Sequence, residues 1–448
     1  MKIINIYDNN DPQYDCKDVD LQKWISSLAE YSGKTIDELC TDHDLFSTIP
    51  FINEKNRSRE ALFHLQGSKI KTGNIGGFFG VKNEKGEFLE VRIRSRFDKS
   101  EQQYFVKHML SYIAGIDLLQ DLKTHSDFNG FFDFLLFLFP SYLRKALNQG
   151  IYKSYKVFEY NDSKPKGKID VSRHIAHNIP FQGNIAYSFR EYTPYNNLML
   201  LIREVIEHIK RILSCMLTNS NDFRNDCQIV IDNTKNYGKT SRHRLIELNS
   251  RPINNPYYIE YESLRKLCLR ILKNEELKFS DSADEIYGVV YELNWLWEEY
   301  LNVLFSSSPR LNKLIHSENK IQKRGISPFS DYEHIEWYPD FYSISEKGLV
   351  LDAKYKNYQT NKISSEDVQQ LTAYLHILKS DLGAVLFPQN TKECQKDSYE
   401  LKGYGGRIHK FGLYIPQDCS LNLFIDSMKE SENFFIKEIE KWIEANMA

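Results

Sequence analysis

The chain has 448 residues, a hydrophobic content of 41%, a charged content of 27% and a formal net charge of −3. That length admits two or three domains, each with its own core, and the composition excludes a disordered chain. The near-neutral balance lacks the basic excess of a protein that grips duplex DNA unaided, so DNA-directed chemistry would need locally concentrated basic groups or a second subunit that holds the nucleic acid.

Met1 opens a polar segment without a basic-then-apolar signal pattern, and no apolar run approaches the length of a membrane span. The expectation is a cytoplasmic chain that engages no membrane. The seven cysteines, at 16, 40, 215, 227, 268, 394 and 419, are odd in number and form no C-x-x-C pair. That suits a reducing compartment and argues against a structural zinc site. His174 and His177 have i, i+3 spacing, but with no Cys pair or acidic third ligand they are assigned no metal.

In chain order, residues 1 to 65 mix polar runs with short helical patterns such as Leu21 to Tyr31 and carry no assignable chemistry. Gly73 to Phe97 reads as strands around the turn Asn83-Glu84-Lys85-Gly86-Glu87. Its glycines match no phosphate-loop pattern and read as a tight β-turn region. Arg92, Arg94 and Arg96 alternate and so share a strand face, suited either to phosphates or an acidic partner or simply to solvent. Glu101 to about Asn148 is helical in pattern, and its most apolar window, Phe131 to Phe139, contains Asp133 and reads as core helix. A strand is expected at Gly150 to Phe158. The basic turn Lys164-Pro165-Lys166-Gly167-Lys168 follows, with another strand near Asn184 to Arg190. Thr193 before Pro194 marks a helix start, and an amphipathic helix runs from Leu198 to about Leu217. Thr218 to Asn255 reads as loop with some helix.

Ile286 to Phe305 is predicted as one helix, with Ile286, Val289, Val290, Leu293, Trp297, Leu301 and Leu304 as its apolar stripe. Glu298 borders that stripe, placed either to turn inward as a ligand or to stay on the wet face. Next come two β-rich runs, Trp337 to Ile344 and Leu349 to Tyr355, around the turn-prone Ser345-Glu346-Lys347-Gly348. In that hairpin Asp340 falls nearly opposite Asp352, and Asp352 and Lys354 share a face. Two hard oxygen ligands and an ammonium in one cluster suit Mg²⁺, which takes one or two carboxylates plus waters and phosphate oxygens during phosphodiester hydrolysis. Lys354 is placed to orient or deprotonate the attacking water or to stabilise charge on the phosphate. Acidic-x-Lys triplets also occur at Asp121, Glu276 and Glu400, but only the one at Asp352 ends an apolar run and follows a neighbouring Pro339-Asp340. Downstream, Ser364-Ser365-Glu366-Asp367 starts a helix that carries Gln370 and Tyr374 at i, i+4. Ala384 to Phe387 reads as a buried strand ending at Pro388.

Helix, hairpin with paired acids and a lysine, helix, strand: this order resembles the PD-(D/E)xK nuclease superfamily, through Pro339-Asp340, Asp352-Ala353-Lys354, the helical acid Glu298 and the Gln370-x-x-x-Tyr374 pair. That pattern adds an early strand, placed near Lys320 to Arg324. Lys166 to Gln182, followed by Arg190 to Ile202, resembles the region before the nuclease in McrC, the endonuclease subunit of McrBC modification-dependent restriction systems, and Gly73 to Phe97 with the following helix resembles its N-terminal part. The first 70 residues match no known pattern, and Arg92 to Phe97 departs from the Pro-Lys ending of better-known members.

The resemblance implies a mixed α/β (α+β) fold. A β-rich and helical partner-binding region would occupy residues 1–280, and a PD-(D/E)xK endonuclease domain with a central mixed sheet flanked by helices would occupy residues 281–448. It implies that Asp340, Asp352, Lys354 and Gln370 form the catalytic set, and that Asp340, Asp352 and Glu298 hold Mg²⁺. It implies two partners: an McrB-like AAA+ GTPase hexameric ring whose hydrolysis the chain stimulates, and double-stranded, modified DNA. Arg92, Arg94, Arg96, Lys164, Lys166 and Lys168 are the candidate contacts. Two other readings stand beside the restriction endonuclease: a non-catalytic adaptor that activates an AAA+ ring, and a nuclease that acts alone.

Overall fold

The computed structural model describes residues 2–10, 21–43, 46–48, 60–67, 69–114, 132–212, 217, 221–235, 237–238, 240–277, 286–317, 325–331, 335–344, 348–358, 362–392, 398–402, 405–417 and 419–447. By proximity the chain forms two compact units, Met1–Phe131 with Asp281–Ala448, and Phe132–Ser280. The segment up to Phe131 thus groups with the C-terminal region and not with the middle one. A long-range strand pairing, described below, is the reason.

The N-terminal part contributes β1 (Lys2–Tyr7), α1 (Ile25–Tyr31), α2 (Ile36–Asp42), β2 (Phe46–Thr48), the small hairpin β3 (His64–Gln66) and β4 (Lys69–Lys71), then β5 (Ile75–Lys82), β6 (Phe88–Arg94) and α3 (Tyr104–Ala114). Helix α2 starts at a capping box in which Thr35 and Glu38 satisfy each other's backbone N–H groups. The expected turn forms between β5 and β6, where Asn83 Oδ1 accepts from Lys85 N at 3.0 Å and Glu87 N at 2.8 Å. Of the glycines before it, Gly76, Gly77 and Gly80 lie inside β5, not in a turn. Gly76 and Gly80 sit opposite Tyr291 and Tyr287, and a Cβ at either would collide with the facing ring. Ile4, Ile6, Phe79, Val81, Leu89, Val91 and Ile93 form a core with Leu28 and Leu39 of the two helices.

The second unit holds α4 (Phe132–Asn148), β7 (Ser154–Asp162), β8 (Lys168–Ile169), α5 (Val171–His177), β9 (Ile185–Thr193), α6 (Asn197–Ile212), α7 (Asn221–Asn233), α8 (Arg242–Leu248) and α9 (Ile259–Leu277). Its strands pair antiparallel in the order β7-β9-β8. Helix α6 buries Leu198, Leu201, Ile202, Val205, Ile206 and Ile209 at helical spacing. It starts later than Thr193: Asn196 is the cap, its Oδ1 accepting from Met199 N at 3.1 Å. The stretch read as loop with some helix contains α7 and α8, and α7 buries Phe223, Cys227 and Val230.

The chain returns to the first unit with β10 (Tyr287–Glu292), α10 (Leu293–Ser306), β11 (Ile315–His316), β12 (Phe341–Ser343), β13 (Leu349–Ala353), α11 (Ser365–Leu378), β14 (Leu382–Gln389), β15 (Ser398–Glu400), β16 (Arg407–Tyr414) and α12 (Leu421–Met447). The helix predicted from Ile286 is thus a strand followed by a helix. Aromatic and β-branched Tyr287, Val289, Val290 and Tyr291 are buried on both faces of a strand, a case in which apolar spacing does not separate strand from helix. Strand β10 runs antiparallel to β5 and parallel to β2, which completes the order β1-β6-β5-β10-β2 and ties the segment after the second unit into the N-terminal sheet.

The remaining strands form a six-stranded mixed sheet, β11-β12-β13-β14-β16-β15. Antiparallel β12 and β13 form the predicted hairpin, while β13, β14 and β16 run parallel, with α11 as the crossover between the first two. Every residue of β13 and β14 is buried. Helices α10 and α11 pack on β13 and α12 on β16, so the fold is the mixed α/β arrangement expected. The early strand sought at 320–324 and the turn at 345–347 lie outside the described residues. Among the described residues no helix is long and apolar enough to cross a membrane.

Candidate active site

Strand register brings the two acids together. Phe341 pairs with Leu351, so Asp340, one residue before β12, faces Asp352 near the end of β13. Asp340 Oδ2 accepts from Ala353 N at 2.6 Å, which ties one acid to the backbone beside the other. Lys354 stays on the Asp352 face because its backbone N–H continues the ladder to Leu386 O at 2.8 Å.

A polar chain then leads away from Asp352. Lys354 Nζ lies 2.9 Å from Asp352 Oδ2 and donates to Gln370 Oε1 at 2.9 Å. Gln370 Nε2 donates to Tyr374 OH at 2.9 Å, and Tyr374 OH reaches Tyr338 O at 3.3 Å, two residues before Asp340. The i, i+4 pair on α11 therefore fixes the lysine and closes back on the loop that carries the first acid.

Burial sets the electrostatics. Asp340 is held well above the usual carboxylate range, first by loss of solvent and then by the charges of Glu298 and Asp352. Asp352, also raised by burial, is pulled back in part by Lys354. Burial works against the Lys354 ammonium, but Asp352 and Asp340 outweigh it and the lysine is held charged. Asp352 Oδ2 meets Lys354 as an ion pair without a well-directed hydrogen bond, so a buried lone pair is left over.

Other groups were not singled out by sequence reasoning. Asp340 O accepts from His316 Nδ1 at 2.8 Å, and His316 Nε2 lies 3.4 Å from Glu299 Oε1. Burial lowers the His316 pKa, but Glu299 and Asp340 more than reverse it, and the net shift is upward. Lys356 and Asp367 form an ion pair at 2.8 Å at the edge of the cluster. The alternation Asp352, Lys354, Lys356 was a visible signal for the first of these, and the helix start at Ser364 for the second.

Tyr355, between the two lysines, points the other way into the core. Ser95 Oγ lies 2.5 Å from its hydroxyl, and the Arg96 guanidinium hydrogen-bonds its carbonyl. Arg96 also binds Asp8 and donates to Asn74 Oδ1 at 3.1 Å. The expected row of three arginines on one strand face is therefore not present: β6 ends at Arg94, and Arg96 is turned onto internal acceptors. Arg92 pairs with Glu90 at 2.6 Å. In the second unit Lys164, Lys166 and Lys168 are exposed.

Glu298 is half-buried and acts on Asp340 through its charge. Among the described residues, no three His, Cys, Asp or Glu side chains close into a ready metal cage. The donor set is thus two buried carboxylates, with a third nearby.

This arrangement defines a mixed α/β protein with a desolvated acid-lysine cluster at the end of paired strands. Residues 70–388 match the family described as the McrBC 5-methylcytosine restriction system component, and the chain belongs to that family. Its fold is similar to a chain of the refined half-complex from the tetradecameric assembly of Thermococcus gammatolerans McrB AAA+ hexamers with bound McrC. The TM-score is 0.50 at 14% identity, over 98% of this chain and 100% of that one. The cryo-EM structure of the Thermococcus gammatolerans McrBC complex aligns with a TM-score of 0.32 at 14% identity, over 68% of this chain and 87% of that one. No curated protein sequence matches.

Proposed function

We propose that this chain is the Mg²⁺-dependent DNA endonuclease subunit of an McrBC-type restriction complex, acting against foreign DNA in the cytoplasm. The observation that carries this reading is the convergence of Asp340, Asp352 and Lys354, braced by Gln370, in a desolvated corner of a mixed sheet. Such a costly grouping of charge is characteristic of functional sites.

The residues fit a divalent cation. Four carboxyl groups, Asp340, Asp352, Asp367 and Glu298, stand against the two ammoniums of Lys354 and Lys356, a formal surplus of two negative charges when all are ionised. Asp340 and Asp352 would hold the ion, the latter through its spare lone pair, with Glu298 as a third ligand directly or through water. Bound there, Mg²⁺ supplies Lewis-acid polarisation of the phosphate and lowers the pKa of a bound water. Lys354, 2.9 Å from Asp352, would donate hydrogen bonds to the attacking water or to the phosphate. Gln370 keeps that ammonium over Asp352.

The family is that of a 5-methylcytosine restriction component, and the chain with the similar fold comes from an assembly with McrB AAA+ hexamers. An AAA+ GTPase ring that presents modified double-stranded DNA, and whose hydrolysis this chain stimulates, is the matching partner here. Delivery by a ring also suits a net charge of −3, since the chain need not hold DNA tightly alone. The exposed Lys164, Lys166 and Lys168, with Arg92 and Arg94, are the proposed contacts to ring or DNA.

The test is cleavage of modified and unmodified plasmid by the purified chain with Mg²⁺, with and without GTP and an McrB-type AAA+ protein, against Asp352→Ala. Cutting that needs partner, GTP and Asp352 is the expected result. Cutting without the partner would point to an autonomous nuclease, and cutting by Asp352→Ala would overturn the site.

A further inference from the structure

Lys354 and Lys356 meet the same carboxylate. Asp367 Oδ1 is 3.9 Å from Lys354 Nζ, and the Lys356 ammonium reaches Asp367 Oδ1 at 2.9 Å and Oδ2 at 2.8 Å. The Lys354 side chain is 16% exposed and that of Lys356 46%, so the second ammonium stands at the mouth of the site and is the first cation a polyanion would meet.

Asp367 is more than a helix-start acid. Its backbone N–H is capped by Ser364 Oγ at 3.2 Å, as expected in a first turn. Its carboxylate, however, turns to side chains: Ser364 Oγ donates to it at 2.5 Å, Tyr358 OH donates to it as well, and Lys356 spans both of its oxygens. An exposed surface ion pair is loosely held and screened by solvent, whereas this carboxylate is 5% exposed and held by several donors at once. The segment that follows β13 is pinned between the two lysines, where Tyr355 is clamped by Ser95 and Arg96. An ammonium has three N–H groups, and a single carboxylate does not occupy all of them, which leaves at least one for a ligand on the open side.

We propose that Lys356 is a second substrate-binding cation, contacting a DNA phosphate beside the one that is cut, and that Asp367 is the positioning residue that holds it. This rests on the nuclease reading of the same site, and the experiment separates the two.

DNA binding by the complete complex, chain with AAA+ partner and GTP, is measured over a salt series with Ca²⁺ in place of Mg²⁺, and cleavage kinetics are measured with Mg²⁺. Lys356→Met is expected to raise KM roughly tenfold and to flatten the slope of log affinity against log salt by about one unit, the signature of one lost phosphate contact. Lys356→Arg should restore most of both. Asp367→Asn keeps the cation but frees it, so KM should rise with the salt slope unchanged. A wild-type salt slope and KM in Lys356→Met would overturn the proposal, as would equal loss in Lys356→Arg and Lys356→Met with a lowered melting temperature. Asp352→Ala in the same series should stop cutting. If it still cuts, the nuclease reading falls, while the slope of Lys356→Met continues to report on the phosphate contact.

Discussion

Burial separates how strands are used in β13 and in β7. In β13 and its neighbour β14 every position is buried, whereas along β7 Tyr155 is 67% exposed and Val157 54%. Charged residues occur in both places. In the covered sheet Asp340, Asp352 and Lys354 act on one another through a medium from which water has been removed, and their proton affinities shift. In the open sheet, Glu159 and Arg190 stand where solvent and salt screen them. Cover couples ordinary side chains into one electrostatic cluster, and the same cover makes the sheet sensitive to substitution.

The largest expected effect breaks the covered sheet's chemistry. Asp352→Ala should reduce partner-activated cleavage by about a thousandfold or more, in line with loss of a group acting with others as a unit, while circular dichroism stays that of the native fold. A cavity against the same sheet comes next. Trp297 is fully buried and its Nε1 donates to Leu386 O at 3.2 Å, so Trp297→Ala should cost about 3 to 5 kcal/mol in urea denaturation.

A smaller effect depends on pH. Glu432 lies under α3 and α10, with His108 Nε2 at 2.6 Å, Tyr300 OH at 2.6 Å and Tyr112 OH at 2.7 Å. Burial pushes its pKa up, yet those partners outweigh it and hold it below its ordinary value of 4.5. A carboxylate depressed in the folded state stabilises above its unfolded pKa, and that stability is lost as pH falls through the folded value. Glu432→Gln should therefore cost about 1 to 3 kcal/mol at pH 7, and the gap to the native chain should close as the pH is lowered past 4.5. A gap that stays constant down to acid pH would remove the ionised carboxylate from the account. The open sheet sets the other end of the scale: Tyr155→Ala should change stability by no more than about 0.5 kcal/mol, and a loss of several kcal/mol would show that β7 is covered in solution.

Much of the candidate site was legible because it is local. Asp352 and Lys354 stand two apart on a strand, Gln370 and Tyr374 four apart on a helix, and the hairpin fixes which residue faces Asp352, so periodicity and a turn were enough. The cap at Ser364 was readable for the same reason. The double role of Asp367 was not, because its partners Lys356 and Tyr358 lie before the helix it starts, and helix-start preferences do not say where a carboxylate turns.

The amino-acid sequence by itself determined the β5–β6 hairpin, the amphipathic α6, the acid-lysine hairpin with its following helix and the mixed α/β class, all set by spacings within a few residues. Only the tertiary structure decided that Tyr287 to Glu292 is a strand, that it joins the N-terminal sheet, and that the glycines of β5 make room for its tyrosines. The same holds for Arg96, which reads as a surface cation and instead reaches Tyr355, 259 residues away. A strand's face is set by its own alternation, but its partner is chosen by burial summed over the whole chain, and no local window contains that sum.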